Sequence, residues 1–270
     1  MPRRVGMPRV GVTAESRFAR LRGRWEERAA RYGTDDAGVL YQGLSGRLNR
    51  HIHAFHVAAV RRLLAASPPG ARVLDVGCGF GRIGRIVRAE RPDMELVGCD
   101  FTLDFCRLYR KGTGARVLCC DIARLPLRDA SFDALIAVTA LMYLPAGARE
   151  KATAELLALL RPGGVALFVE PSEELLRVIA LVRPAAARAT TGGTGLTLNA
   201  FRRLSRGGVE LSHGGMPAFT LLLPLLVTFE RLPRLQNALL AAVERVDRVL
   251  GTAWRFSLQR WILVRRPQPA

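Results

Sequence analysis

A buried strand that runs into three alternating glycines restricts the fold of this chain more than any other feature. The segment is Val73-Leu74-Asp75-Val76-Gly77-Cys78-Gly79-Phe80-Gly81. Glycine allows positive φ angles and lets a ligand approach the backbone closely. In open α/β sheets, ligands bind beyond the carboxyl ends of the strands. The segment therefore predicts a ligand-binding turn at the end of the first strand of a parallel sheet.

Short apolar runs alternate with helical stretches after residue 70, which is typical of βαβ units. The predicted strands are Arg72–Val76, Glu95–Cys99, Arg116–Cys119, Phe132–Val138, Val165–Glu170, Val209–Ser212 and Phe256–Val264. The predicted helices between them are Arg82–Glu90, Leu103–Tyr109, Arg149–Leu160, Ser172–Val182 and Leu198–Leu204, with a tight turn at 162–164. We expect an α/β fold: a doubly wound, mostly parallel seven-stranded sheet with helices on both faces and a late antiparallel pair.

The remaining segments divide the chain into a cap, a main domain and an insertion. Residues 1–15 are charged and aperiodic, so we expect disorder there. Residues 16–66 predict an N-terminal helical cap or lid, with its second helix at Arg47–Leu64. Residues 67–270 predict the main domain, in which 185–196 is a small-residue loop. A helical insertion at about 216–251, with helices at Ala218–Arg231 and Leu235–Leu250, precedes the last strand.

Acidic residues follow the second and third strands. Asp100 lies about 20 residues after the glycines, where a carboxylate can accept both hydroxyls of a ribose. Asp121 can accept a hydrogen bond from an adenine amine, and Ile122 can lie against the ring. The letters G-x-G-x-x-G also occur at 79–84, which is a dinucleotide signature. However, the strand already ends at Gly77, and a fingerprint in that frame needs glycine where Arg82 stands.

Taken together, five segments resemble the successive motifs of class I (Rossmann-like) S-adenosylmethionine-dependent methyltransferases. They are VLDVGCGFG, Asp100, Asp121-Ile122, LPLRDASFDALIAV and LRPGGVALFVEP, and they span about residues 71–171. The closest resemblance is to the broad group that includes ubiquinone- and menaquinone-biosynthesis enzymes and natural-product methyltransferases. The resemblance implies S-adenosylmethionine as cofactor and S-adenosylhomocysteine as product.

The resemblance also implies roles for individual residues. Asp75 supports the loop and the methionyl amine, the three glycines line the cofactor, Asp100 holds the ribose, and Asp121 with Ile122 holds adenine. The full cofactor-binding set is Asp75, Gly77, Gly79, Gly81, Asp100, Phe101, Asp121, Ile122 and Val138. The substrate-binding candidates are Tyr41, Thr139, Met142, Tyr143 and Glu170. For Glu170 a structural role and a substrate contact are equally favoured.

Methyl transfer from a sulfonium is an in-line displacement, so alignment of the reactants supplies much of the catalysis. A base is needed only if the acceptor carries a proton that must leave. We therefore assign no catalytic residue and name only candidates: His53, His56 and Tyr143. A half-buried or surface role is favoured for both histidines. Tyr32, His51 and His213 are further residues that could reach a site from the cap or the late strands.

Composition bears on the compartment, the state of the cysteines and the charge of possible partners. No apolar run reaches the ~20 residues of a bilayer span, so we expect a cytoplasmic chain. The five cysteines lie between positions 78 and 120 without metal-ligand spacing, so we expect free thiols and no metal. The net charge is +18, concentrated in residues 1–62 and 201–270. These flanks indicate either an anionic partner or compositional drift towards arginine, and we favour drift.

We expect transfer of a methyl group to a small, hydrophobic acceptor through an O, N or C nucleophile. The apolar insertion fits a substrate cover, a peripheral membrane contact, a homodimer interface or plain core. An RNA methyltransferase that uses the basic flanks is the rival enzyme. Against it, residues 138–141 read Val-Thr-Ala-Leu and lack the Asn/Asp-Pro-Pro-aromatic segment of base-amine methyltransferases. The same fold could also serve a non-catalytic cofactor-binding scaffold or a nicotinamide-dependent oxidoreductase.

Overall fold

A seven-stranded sheet organises the chain in the computed structural model, which describes residues 14–182, 193–251 and 253–268. The strands are β1 (Arg72–Val76), β2 (Glu95–Asp100), β3 (Arg116–Cys119), β4 (Phe132–Val138), β5 (Leu160–Pro171), β6 (Val209–Gly215) and β7 (Gln259–Arg265). Their order across the sheet is β3-β2-β1-β4-β5-β7-β6. The five strands from β3 to β5 are parallel neighbours, while β7 runs antiparallel to both β5 and β6. The predicted fold class is confirmed.

Helices cover both faces of the sheet. They are α1 (Ala14–Tyr32), α2 (Gly46–Ala66), α3 (Arg82–Glu90), α4 (Leu103–Thr113), α5 (Ala146–Leu159), α6 (Glu173–Val182), α7 (Leu198–Arg202), α8 (Pro217–Thr228) and α9 (Pro233–Leu250). Apolar residues of α2, α3 and α4 pack on one face of β1 and β4, while those of α5 and α7 pack on the other. Burial on both faces explains why β1 and β4 are nearly continuous apolar runs rather than alternating ones.

The predicted strand at Val165–Glu170 begins earlier in the structure. Strand β5 starts at Leu160 and includes the Pro-Gly-Gly segment that the sequence predicted as a turn. Leu160 pairs with Phe132, and Val165 pairs with Ala134, so the register shifts between the two pairs. The extra residues bulge out of the ladder, which bends the strand without ending it. At the other end of the chain, the predicted strand residue Phe256 lies in a 3-10 turn before β7.

The first helix of the cap, the segment after it and the insertion lie near the carboxyl ends of the parallel strands, whereas α2 runs along one face of the sheet. Helices α1 and α2 are joined by a segment with a 3-10 turn at Asp36–Gly38. The predicted disordered segment 1–15 falls largely on residues 1–13, outside the described residues, and α1 begins at Ala14. Likewise, most of the predicted loop 185–196 lies outside them. Within the three described ranges, no helix has the length and apolar character that a bilayer crossing requires.

The insertion between β6 and β7 is the helical hairpin α8–α9. Its first helix is apolar nearly all round, yet only one side of it is buried: Leu223 and Leu226 pack against α2, whereas Leu221 is 74% exposed. The carboxylate of Asp247 on α9 accepts hydrogen bonds from the N–H groups of Ala218 and Phe219 at 2.7 and 3.1 Å. These bonds cap the N-terminus of α8 and fix the hairpin geometry.

Close packing of α3 on Tyr109 generates a stability prediction. A Cβ added to Gly84 would lie 2.8–3.1 Å from the ring and hydroxyl of Tyr109, which is fully buried. We expect Gly84→Ala to lower the free energy of unfolding by about 1–3 kcal/mol, because overpacking outweighs the helix propensity of alanine. Gly112→Ala in α4 is the matched control, since its nearest neighbours lie 3.8 Å away. Urea unfolding measures both, and equal effects would contradict the packing argument.

Candidate functional site

The glycine turn after β1 adopts the backbone geometry that the sequence predicted. Gly77 and Gly79 have φ angles of +64° and +52°. A Cβ on Gly77 would lie 2.8 Å from the Cβ of Ala140, which follows β4. Because Gly77 has no Cβ, the turn can lie close to the ends of β1 and β4. A bare backbone surface is therefore presented at the carboxyl edge of the sheet.

Gly81, the third glycine of the segment, packs closely against α4. Its φ is +94°, and it precedes the first turn of α3. An added Cβ would lie 3.0 Å from Thr113 and 3.2 Å from Tyr109. Gly81 does not line the cavity over the turn. The open side of Gly81 faces α4, and the prediction that it contacts a cofactor stays a prediction.

A cavity of about 1040 Å³ lies over the glycine turn, and we call it the strand-end cavity. It lies between the ends of β1, β2, β3 and β4 on one side and α1 on the other. The other eight predicted cofactor-binding residues all line it, namely Asp75, Gly77, Gly79, Asp100, Phe101, Asp121, Ile122 and Val138. The structure therefore brings together residues that are up to 63 positions apart in the sequence.

Asp100 fastens the glycine turn to the end of β2. One carboxylate oxygen accepts a hydrogen bond from Gly79 N–H at 2.9 Å, and the other accepts from Thr102 N–H at 2.9 Å. Burial raises the pKa of Asp100, and these N–H donors oppose the shift. Each carboxylate oxygen has further lone pairs. Asp100 can therefore shape the turn and still accept hydroxyl donors from the cavity.

Asp75 and Asp121 present acceptors in different surroundings. Asp75 is 3% exposed, and its Oδ2 has no hydrogen-bond partner among the described residues. Burial raises the pKa of Asp75 to about 7, and the Arg82 guanidinium opposes that shift. Asp121 is half-buried, and its Oδ1 accepts a hydrogen bond from Ala123 N–H at 2.9 Å. The second oxygen of Asp121 remains available to a ligand.

The buried guanidinium of Arg82 contacts both predicted histidine candidates. It bonds Nδ1 of His53 at 2.6 Å and Nδ1 of His56 at 3.3 Å. Arginine donates and never accepts, so both Nδ1 atoms are acceptors and the imidazole proton lies on Nε2. Burial, and secondly Arg82, hold the pKa of His56 well below its usual range and lower that of His53. Neither neutral ring can take up a proton at Nε2, and the base role of His53 and His56 stays a prediction.

A second cavity of about 580 Å³, the cap cavity, adjoins the first. It lies between the segment after α1 (residues 39–44), α6 and the hairpin helix α8, and its lining is mostly apolar. Val39, Thr139 and Tyr143 line both cavities, so the two spaces meet at these three residues. Thr139 holds a φ of +54°, which is rare for a threonine, and its N–H donates to Val169 O at 2.7 Å.

Four of the five predicted substrate-binding residues line the cap cavity: Tyr41, Thr139, Met142 and Tyr143. Glu170 lines neither cavity and is fully buried. Its carboxylate accepts hydrogen bonds from the N–H groups of residues 140, 141 and 142 at 2.7–3.2 Å. Burial raises the pKa of Glu170 to about 8, and these three N–H donors oppose the shift. Glu170 thus positions the turn after β4, which is one of the two roles that the sequence favoured equally, and its substrate contact stays a prediction.

The remaining sequence candidates lie outside both cavities. Tyr32 donates a hydrogen bond to Gln42 at 2.9 Å, His51 stacks on Phe219, and His213 contacts Trp254 and Glu210. Residues that the sequence did not single out, Arg28 and Gln259, do line the cap cavity. Among the described residues, no group of three or more His, Cys, Asp or Glu side chains could hold a metal ion. All five cysteines are free thiols.

Comparison with known proteins gives matches in sequence and in fold. Residues 73–164 match the family model of a methyltransferase domain. The chain is 32% identical over 171 residues to the malonyl-[acyl-carrier protein] O-methyltransferase of Methylococcus capsulatus, an alignment that covers 62% of this chain and 58% of that protein. It is 30% identical over 149 residues to the tRNA (carboxymethyluridine(34)-5-O)-methyltransferase ALKBH8 of Macaca fascicularis, covering 53% and 21%. The chain thus spans between about a fifth and three fifths of these relatives.

A solved structure of phosphoethanolamine N-methyltransferase 1 from Haemonchus contortus, in complex with phosphoethanolamine and S-adenosylhomocysteine, has the same fold. The TM-score is 0.64 at 14% identity, and the alignment covers 96% of this chain and 50% of that one. Because the identity is low, this likeness concerns the arrangement of strands and helices alone.

The raised pKa of Asp75 predicts how stability depends on pH. Its carboxyl binds a proton more tightly in the folded chain, with a pKa of about 7 against 3.8 as the ordinary value. The free energy of unfolding therefore falls as pH rises from about 4 to about 7, because the unfolded chain then holds fewer protons. We expect Asp75→Asn to reduce that decline by about 1–3 kcal/mol, measured by urea unfolding from pH 4 to 8. A decline as steep as that of the unsubstituted chain would contradict the assignment.

Proposed function

We propose that this chain, in which residues 73–164 match a methyltransferase domain, is a class I S-adenosylmethionine-dependent methyltransferase that transfers the cofactor's methyl group to an oxygen atom of a small, apolar acceptor. The observation that carries the proposal is the junction of the two cavities at Val39, Thr139 and Tyr143. The strand-end cavity would hold the cofactor, and the cap cavity would hold the acceptor.

The residues of the strand-end cavity fit S-adenosylmethionine. Asp100 retains lone pairs for ribose hydroxyls, Asp121 has one free oxygen for the adenine amine, and Ile122 offers an apolar surface to the ring. The unpartnered Oδ2 of buried Asp75 suits a methionyl ammonium, which would lower the pKa of this carboxyl. The bare backbone at Gly77 and Gly79 allows close approach. These proposed roles rest on the resemblance to class I methyltransferases and on the positions of the residues in the strand-end cavity.

When bound, the cofactor supplies an electrophilic methyl group on a sulfonium. The chain's own residues would align the acceptor with it: Thr139 and Tyr143 line the passage between the cavities on the sheet side, and Val39 lines it on the cap side. Holding two reactants in line can contribute about 7–11 kcal/mol to lowering the barrier. Because His53 and His56 are neutral and protonated at Nε2, the acceptor atom must be a nucleophile without their help.

The names of two relatives favour oxygen as the acceptor atom. One is an O-methyltransferase of a malonyl group, and the other is a 5-O-methyltransferase of carboxymethyluridine. The apolar lining of the cap cavity favours an acceptor with an apolar body, because buried polar groups without partners would be costly there.

Transfer to tRNA is the second candidate function. The ALKBH8 relative is named a tRNA methyltransferase, and the ends of this chain carry most of its +18 net charge. Basic surfaces attract the phosphate backbone, and that attraction weakens steeply with salt. The cap cavity favours the small acceptor over RNA, because its lining is mostly apolar.

Asp121 provides a sharp test of the adenine assignment. Asp121→Asn keeps Oδ1 as acceptor for Ala123 N–H and replaces the free oxygen by an NH₂ donor. We expect the unsubstituted chain to bind S-adenosylhomocysteine about 10–100-fold tighter than S-inosylhomocysteine, whose 6-oxo group accepts where adenine donates. The variant should lose or invert that preference in isothermal titration.

The exposed Asp129→Asn is the matched control and should retain the preference. NAD serves as the competing ligand. If Asp121→Asn discriminates between the two nucleosides as the unsubstituted chain does, the adenine amine is not bound there. If NAD binds tighter than S-adenosylhomocysteine, the cofactor assignment itself fails.

Filling the cap cavity tests the acceptor assignment. Leu223 lines the cavity from α8 and is 8% exposed, whereas Leu221 on the same helix is 74% exposed and faces away from it. With tritium-labelled cofactor and an extract of the source cells, we expect label in the organic-extractable small-molecule fraction. Leu223→Trp should reduce that label at least about tenfold by occupying the acceptor's space, while Leu221→Trp should not.

Both variants should bind S-adenosylhomocysteine as the unsubstituted chain does, because the strand-end cavity is unchanged. Equal labelling by Leu223→Trp and Leu221→Trp would show that the acceptor binds elsewhere. Label in the RNA fraction, together with RNA affinity that falls steeply with salt, would favour the tRNA candidate.

A further inference from the structure

We infer that the cap cavity recognises an acceptor that carries a carboxylate on an apolar body, and that Arg28 and Tyr41 bind this carboxylate. The inference rests on the proposed function, in that the cap cavity must hold the acceptor. It adds the charge of the acceptor, the residues that recognise it and the reason that no base is needed.

Arg28 brings a half-buried positive charge to a mostly apolar cavity. Its Nη2 donates to the carbonyl oxygens of Ala37 and Leu40 at 3.2 and 3.5 Å, and its guanidinium lies 5.0 Å from the ring centre of Trp25. Its Nε is buried and has no hydrogen-bond partner in the part of the chain that the structure describes. The guanidinium is thus oriented by backbone carbonyls and an aromatic ring, and these leave its charge uncompensated.

The other charged groups of the cap cavity do not neutralise Arg28. Glu173 and Arg177 line the same cavity but form an ion pair with each other. Across residues 14–182, 193–251 and 253–268, no carboxylate lies within 4 Å of the Arg28 guanidinium. A cation in an apolar space is costly unless an anion joins it. The cavity therefore favours an anionic ligand.

Tyr41 adds a second donor, and the hydrogen bond that it accepts from Gln259 sets the direction of its hydroxyl. Arg82 donates to Nδ1 of His56, so the proton of His56 lies on Nε2. Nε2 of His56 and Oε1 of Gln259 are both buried and have no hydrogen-bond partner among the described residues. The Nε2 amide of Gln259 donates to Tyr41 Oη at 2.8 Å. The hydroxyl proton of Tyr41 is therefore free to donate into the cavity.

Arg28 and Tyr41 are both hydrogen-bond donors at neutral pH. Burial raises the pKa of Tyr41, which keeps its hydroxyl protonated. Two donors, one of them charged, complement the lone pairs of a carboxylate and not those of an ammonium or an amide N–H. An uncharged alcohol could use the tyrosine but would leave the guanidinium without an anion.

A carboxylate acceptor also agrees with the lack of a base. It is already ionised at neutral pH, so no proton has to be removed before reaction. One carboxylate oxygen would form a bond to the methyl carbon as the carbon–sulfur bond breaks, and the sulfur would keep that electron pair. The products are a methyl ester and the neutral thioether S-adenosylhomocysteine, and no proton is released.

Matched ten-carbon probes test the inference. Decanoate and 1-decanol share the apolar chain and differ in charge, and their affinities for the complex with S-adenosylhomocysteine can be measured by isothermal titration. We expect decanoate to bind at least about tenfold tighter than decanol, as charge-assisted hydrogen bonds predict. Arg28→Gln should abolish this preference and leave decanol affinity unchanged. Tyr41→Phe should weaken decanoate binding by a smaller factor.

Arg24→Gln removes the same charge from α1 at an exposed position outside both cavities, and it should retain the preference for decanoate. Three results would overturn the inference: equal binding of the two probes, a preference that survives Arg28→Gln, or the same loss in Arg24→Gln. Leu223→Trp separates the two proposals. If it blocks both probes but the charge preference is absent, only the carboxylate inference fails. If neither probe binds to the unsubstituted chain, or if both bind to Leu223→Trp unchanged, both the carboxylate inference and the proposed function fail.

Discussion

The hydrogen bond from Gly79 N–H to the Asp100 carboxylate, 2.9 Å long, holds the glycine turn against the end of β2. The positions of the residues at the carboxyl edge of the sheet depend on where that turn lies. Because Gly77 has no Cβ, Ala140 can approach from the end of β4, and this brings Thr139 and the following turn over the middle of the sheet. Glu170 then fixes that second turn by accepting three consecutive N–H groups. Two acidic residues that the sequence suggested as ligand contacts thus also organise the backbone around the ligand's space.

Arg82 links the two cavities, because it can only donate hydrogen bonds and so fixes which atoms of its neighbours accept them. It lines the strand-end cavity, moderates the pKa of Asp75, and bonds both His53 and His56 on the cap helix α2. Burial lowers the pKa of this guanidinium to about 10, so it remains a cation at neutral pH. A permanent donor at this position forces the neighbouring histidines to be acceptors at Nδ1. The protonation of these two histidines is therefore set from the strand-end side, through Arg82.

Local patterns predicted the fold well, because each parallel strand is a short buried run followed by a helix of recognisable periodicity. The start of β5 was missed, since Pro162, Gly163 and Gly164 indicate a turn when read alone, whereas in the sheet they form a bulge opposite β4. The strand-end acids were predictable because parallel strands bring their carboxyl ends together. Arg28 and Gln259 could not be predicted as cavity residues. Gln259 contacts Tyr41 across 218 positions of sequence, and no local pattern marks that contact. Gly81 was predicted to contact the cofactor and Glu170 was left open between a structural role and a substrate contact, because both follow the spacing of the strand ends; their observed partners are α4 and backbone N–H groups.

The two cavities draw on different parts of the chain, and this explains why similarity to known proteins defines the cofactor better than the acceptor. Apart from residues of α1 and Val39, the strand-end cavity is lined from within residues 75–148, inside the segment that matches the family model. The cap cavity takes only Thr139, Met142 and Tyr143 from that segment. Its other residues come from the cap, α6, α8 and the start of β7, which lie before or after the match. An insertion such as α8–α9 can change without disturbing the glycine turn, because Asp247 caps α8 from within the same hairpin. Relatives with different acceptors can therefore share the strand-end residues, and the acceptor of this chain has to be argued from Arg28, Tyr41 and Leu223, not from the motifs.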